Sequence, residues 1–177
     1  MQLDKFDAIN QFYSKHHAGL LISGKSQRPT ESGYWAASDP QQLFELFQQL
    51  HLEKYKNFLD LGSGDGIVVA IASLFTSAAG IEIDAKLHKE ALGIKKQLGL
   101  DYSLKCADYL EEDLSLYDFI FINPDNYFYK LEKKLVDGFK GTLVMTDNMF
   151  KPLTLKEDER IVAGGSSYIL YVIRKNI

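Results

Sequence analysis

The sequence holds a single cysteine, Cys106, so no disulfide can form within it. Cys106 closes an apolar stretch (residues 102–107) with no Cys-His motif around it, which reads as a small buried residue. No run of about 18 apolar residues occurs, so no segment is expected to span a membrane. Residues 1–10 carry Asp4 and Asp7 and no apolar core of signal length, and a reducing cytoplasm is the expected location. Metal-ligand spacings are missing, as is any Ser-His-Asp grouping. His16-His17 is an adjacent pair that a helix would splay apart, which reads as surface. Strong positive charge is lacking too. Lys and Arg number 20 against 24 Asp and Glu, a formal net charge of −4. Nucleic-acid binding is therefore not favoured by charge. The local group Lys130, Lys133 and Lys134 reads as a solvated helix face.

What is present suits one globular domain over residues 1–177, as a monomer or small homo-oligomer. Apolar residues make up 46% of the chain, enough to bury a core. Eleven Phe and ten Tyr supply aromatic mass for that core or for stacking on a planar ligand.

Residues 1–56 form an N-terminal helical and lid segment in this reading, and residues 57–177 a Rossmann-like core. Leu3, Phe6, Ile9, Phe12 and Tyr13 recur at three- and four-residue spacing, which predicts a helix over 1–22. Residues 23–39 read as a loop rich in Ser, Gly and Pro. Asp39-Pro40 then predicts a capped helix start. From residue 57 the pattern alternates. Strands are expected at 57–61, 78–83, 102–107, 117–123 and 141–146, with helices at 67–75, 85–98 and 126–136 between them. That alternation predicts a parallel sheet with helices on both faces. Residues 160–163 and 168–174, separated by Gly164-Gly165-Ser166-Ser167, predict a closing antiparallel hairpin. Residues 147–159 show no convincing helix. The fold class is α/β, with a mostly parallel seven-stranded sheet and a C-terminal hairpin.

The run Asp60-Leu61-Gly62-Ser63-Gly64-Asp65-Gly66 follows a strand and opens a helix. Gly62 and Gly64 permit a tight turn and close approach of a ligand. A dinucleotide site wants Gly-x-Gly-x-x-Gly, but Ile67 stands at the sixth position and Asp65 lies within the loop. Asp65 would repel a pyrophosphate. It would not repel S-adenosylmethionine, which carries a sulfonium, an ammonium and a carboxylate but no phosphate. Asp60 is placed to meet the ammonium, and the loop N–H groups to meet the carboxylate. The alternative is a turn with no ligand.

Phe58 to Gly66 resembles the first motif of class I S-adenosylmethionine-dependent methyltransferases, and the likeness extends over about residues 40–174. The resemblance implies cofactor contacts at Asp60, Gly62, Ser63, Gly64 and Gly66. Glu82, sixteen residues beyond Gly66, would take the ribose hydroxyls. Asp84 is the second choice, or a helix cap. Ile83 would pack on the adenine. Asp108 would accept from the adenine amino group, or merely cap a turn, and Tyr109 would cover the ring.

Asn123-Pro124-Asp125-Asn126-Tyr127 ends the fourth strand and resembles the Asn-Pro-Pro-Tyr motif of enzymes that methylate planar amines. It departs at Asp125, and Asn126 is inserted before Tyr127. Asn123 and Tyr127 are the candidate catalytic residues, with a plain turn as the alternative. Tyr34 and Trp35 are expected to fold over the site as a lid, or Trp35 to plug the core. The segment Gly33 to Pro40, followed by a helix and the glycine turn, also resembles small protein-lysine methyltransferases related to those acting on ATP synthase subunit c. N-methylation of an amine, with protein lysine favoured, is the resulting expectation. A nucleic-acid base, a small metabolite or a non-catalytic cofactor-binding subunit stay open.

Overall fold

The structure, a computed structural model, describes residues 2–30, 33–126 and 129–174. It opens with helix α1 (Gln2–Ile22) and a short hairpin, β1 (Gln27–Pro29) and β2 (Tyr34–Ala36). Helix α2 (Pro40–Gln49) follows, with Pro40 in its first turn and the Asp39 carboxylate accepting the Gln42 N–H at 2.9 Å. The alternating core is β3 (Asn57–Leu61), α3 (Ile67–Ala72), β4 (Ser77–Glu82), α4 (Ala85–Leu98), β5 (Ser103–Cys106), β6 (Phe119–Ile122), α5 (Tyr129–Gly138) and β7 (Gly141–Thr146). Strands β8 (Glu159–Ala163) and β9 (Ser166–Ile173) close the chain.

Seven strands form one sheet in the order β5-β4-β3-β6-β7-β9-β8. The first five are parallel, and β9 inserts antiparallel between β7 and β8. The strand order reverses between β3 and β6. In an open α/β sheet that switch point is where a ligand cleft forms, beyond the carboxyl ends of the strands.

Alternation along the strands divides the core. In β6, Phe119 and Phe121 enter the face covered by α1 to α4, while Ile120 and Ile122 enter the face covered by α5. Phe47, Phe58 and Phe119 are fully enclosed on the first face, with Phe58 and Phe119 stacked at 5.6 Å. Truncating Phe58 to Ala would cost about 3–5 kcal/mol, since the cavity adds to the lost transfer energy.

The expected fold class stands, and five local readings change. Residues 23–39 contain the β1–β2 hairpin rather than a loop alone. Helix α3 stops at Ala72, three residues early, and residues 73–75 tighten into turns in which Leu74 N–H donates to the Ile71 carbonyl and Phe75 N–H to the Ala72 carbonyl. Asn126, the expected start of the next helix, lies in a bend, and α5 is described over Tyr129–Gly138. The closing turn is Gly164-Gly165 alone, both at positive φ, and Ser166 and Ser167 already pair in the ladder. Cys106 is exposed, not buried. It ends β5, which lies at one edge of the sheet. Residues 147–158 hold no helix, as expected.

Candidate active site

The carboxyl ends of β3, β4 and β6 bring Asp60, Glu82 and Asn123 to the same edge of the sheet. Two adjoining clefts open there, one larger than the other. The larger is lined by Gly62, Glu82, Ile83, Tyr109 and Asn123. The smaller is lined by Asp60, Gly62, Ser63, Gly64 and Asn123. Trp35 and Tyr34 from the hairpin border both.

The glycine loop is held largely by its own hydrogen bonds. Gly62 and Ser63 N–H donate to the Ile81 carbonyl, Gly66 N–H to the Ser63 carbonyl, and Ile67 N–H to the Asp65 carboxylate. Gly64 N–H donates to Glu82 Oε2 at 2.8 Å. The N–H groups of Gly62, Ser63, Gly64 and Gly66, expected to meet a ligand carboxylate, are therefore engaged internally. Two side-chain atoms are left for a ligand. Asp60 Oδ2 and Ser63 Oγ are both buried without a partner. Burial, with the charges of Glu82 and then Asp65 nearby, holds the Asp60 carboxyl well above the usual carboxylate range. An orphaned carboxylate beside an orphaned hydroxyl matches the ammonium and carboxylate of an α-amino acid.

Glu82 does two jobs within the fold. Its Oε2 steadies Gly64 and its Oε1 accepts the Asp84 N–H at 2.8 Å. Each oxygen retains acceptor capacity for a ribose hydroxyl. Asp84 instead caps α4, accepting the N–H groups of Lys86 and Leu87. Tyr109 faces Glu82 across the larger cleft. Burial, followed by the charges of Asp125, Asp108 and Glu82, raises its phenol above the ordinary range.

Two of the expected contact residues lie apart from the clefts. Asp108 accepts the Leu110 N–H at 2.8 Å and caps a short 3-10 turn. Gly66 starts α3 with φ of 85°, and a Cβ there would press on Ala91 at 3.2 Å. Tyr127 lies outside the described residues.

Several participants escape sequence reasoning. His17, expected at the surface, donates from Nε2 to Asp65 Oδ2 at 2.7 Å and is only 13% exposed. Tyr13 donates to the Asp65 carbonyl. Arg28 lies over the Trp35 ring at 4.9 Å and bonds Glu90 of α4 at 2.9 Å. Asp125 accepts the Tyr34 N–H, and the bare α-carbon of Gly33 makes room for its carboxylate. Asn148 donates to the Pro124 carbonyl at 2.8 Å and steadies the turn after β6. The one available sequence signal was Asp65 itself, since an acid inside a tight turn needs a partner once buried.

The sheet order, the glycine loop after the first core strand and the acid at the end of the second together define the cleft. A sequence model of the family described as histone methylation protein DOT1 matches residues 30–98. No curated protein matches the chain. Among solved structures, an RNA methyltransferase from Salinibacter ruber in complex with S-adenosyl-L-homocysteine superposes with a TM-score of 0.65. Identity is 23%, over 80% of this chain and 96% of that one. The chain has the fold of class I S-adenosylmethionine-dependent methyltransferases. A Thermus thermophilus 16S rRNA methyltransferase in complex with AdoMet and guanosine gives a TM-score of 0.61 at 15% identity, over 84% of this chain and 50% of that one. A ribosomal protein methylase from Lactobacillus delbrueckii gives 0.57 at 18% identity, over 76% and 78%. The fold thus resembles those of proteins named for RNA acceptors and of one named for a protein acceptor. Among the described residues, no helix is long and apolar enough to cross a membrane.

Proposed function

We propose that the chain transfers a methyl group from S-adenosylmethionine to an amine, with a protein lysine as the favoured acceptor. One observation carries this reading. Four carboxylates, Asp60, Asp65, Glu82 and Asp125, line the two clefts, and no described Lys, Arg or His does. Such a lining favours cations and repels phosphate. A sulfonium cofactor fits it, and so does an amine carried on a cationic side chain. An RNA acceptor, suggested by the names of several similar structures, would bring phosphates to an acidic rim.

When bound, the cofactor supplies an activated methyl group. The chain's own residues bind, orient and exclude water. Asp60 takes the ammonium and Ser63 Oγ the carboxylate. Glu82 takes the ribose hydroxyls, with Ile83 and Tyr109 beside the ring. Asn123 borders both clefts, which supports a role for its amide in orienting the acceptor nitrogen. Asp125, held by Tyr34, can draw a proton from an arriving ammonium. Trp35 and Tyr34 cover the junction. Fixing the acceptor in line is the chief contribution, about 7–11 kcal/mol for well-oriented reactants.

Incubation of the purified protein with methyl-labelled cofactor and a cell extract tests this. Label in protein, recovered as methyl-lysine after hydrolysis, is the expected result. Label confined to RNA would overturn the lysine assignment.

A further inference from the structure

Asp65 lies between two glycines at the crest of the cofactor loop, and its carboxylate is 1% exposed. Its Oδ1 accepts a long bond from Ile67 N–H, 3.3 Å. Its Oδ2 accepts from His17 Nε2 at 2.7 Å, the shorter bond. A carboxylate only accepts, so the shared proton belongs to Nε2. One turn earlier on α1, the Tyr13 hydroxyl donates to the Asp65 carbonyl at 3.0 Å. Helix α1 therefore grips both the side chain and the main chain of a single loop residue. The His17 ring also meets Trp35 edge-on at 6.3 Å and Tyr13 at 5.5 Å. It touches the loop and the hairpin together.

The charge arrangement gives that contact a purpose. Asp60, Asp65 and Glu82 crowd one small region, and all three are buried. An unpinned Asp65 would seek a cation, and the nearest position for one is the cleft it lines. We infer that His17 is a positioning residue for cofactor binding: it holds the Asp65 carboxylate toward α1, leaving Asp60 to face the ammonium and keeping the loop in the shape on which Trp35 rests. The inference rests on the cofactor reading above. His17 touches no reacting atom.

Calorimetric titration with S-adenosylmethionine separates the two. The proteins are wild type, His17→Ala, His17→Phe, His17→Gln, Asp65→Ala and the His17→Ala/Asp65→Ala double variant. His17→Ala and His17→Phe, the latter keeping a ring without a donor, should each raise Kd about tenfold or more, the scale of a lost bond to a charged group. His17→Gln restores a donor of similar reach and should stay within about threefold of wild type. In the Asp65→Ala background, His17→Ala should change Kd by less than about twofold, because the partner is already gone. Wild-type affinity in His17→Phe would overturn the inference. An equal loss with and without Asp65 would do the same, showing that His17 acts only through helix packing. Absence of binding by the wild-type protein would remove the cofactor reading itself, a result distinct from either.

Discussion

The Trp35 indole occupies the space that a side chain on Gly64 would need: a Cβ there would lie 2.5 Å from both Cδ1 and Nε1. Gly64 also holds φ of 53°. Gly64→Ala therefore meets a left-handed backbone penalty of about 1–2 kcal/mol and displaces the hairpin. Trp35 is the single tryptophan of the chain, so its emission reports on the surroundings of this ring. A red shift is expected, together with a cofactor Kd raised about tenfold. Unchanged emission would show that the hairpin does not lean on the loop.

Asp60 yields a pH dependence. Its folded-state carboxyl titrates well above the ordinary range, through burial and then the charges of Glu82 and Asp65. A raised carboxyl contributes stability that is full below the unfolded value and is lost as pH rises through the folded one. The ligand-free protein should therefore lose stability upward from the usual carboxylate range. Asp60→Asn should remove that loss, giving a flatter melting profile with a higher Tm at pH 7. The same variant should bind S-adenosylmethionine about tenfold or more weakly, since the ammonium loses its charged partner. Melting curves across pH, paired with titrations, check both halves. A neutral-pH Tm that does not rise would contradict the assignment.

Glu82 and Asp84 stand two residues apart with different duties. Glu82→Ala removes the ribose acceptor and the brace on Gly64, and should weaken cofactor binding by about 1–3 kcal/mol. Asp84→Ala removes the cap of α4, which costs about 0.5–2 kcal/mol of stability and little affinity. Titration and melting of both variants separate these effects. The reverse order would place the ribose on Asp84.

Much of this was legible in the residues because each signal was local. Asp39-Pro40 declares a capped helix, Gly99 with φ of 60° closes α4, and the Phe-Ile alternation of β6 fixes two buried faces. The glycine loop and Glu82 are likewise set within one strand-helix-strand unit, β3 to β4. What escaped depends on distance along the chain. His17 meets Asp65 across 48 residues, Tyr34 meets Asp125 across 91, and Arg28 meets Glu90 across 62. No periodicity encodes such pairings. The three-residue strands β1 and β2 are too short for alternation to reveal. Cys106 misled because the apolar run around it ends on a strand at one edge of the sheet.

Asn123 borders both clefts and so should act on the acceptor more than on the cofactor. Asn123→Ala should lower kcat about tenfold or more while leaving cofactor Kd within about twofold, the pattern of an interaction made only in the transition state. Single-turnover transfer to the labelled acceptor measures the first and titration the second. Full turnover by the variant would reduce Asn123 to a turn residue.

The account turns on a site built for a phosphate-free cation. Titration of the wild-type protein with S-adenosylmethionine and, separately, with NAD tests that most directly. Saturable binding of S-adenosylmethionine, with no heat from NAD, is the predicted result. Tight NAD binding with no response to S-adenosylmethionine would contradict it.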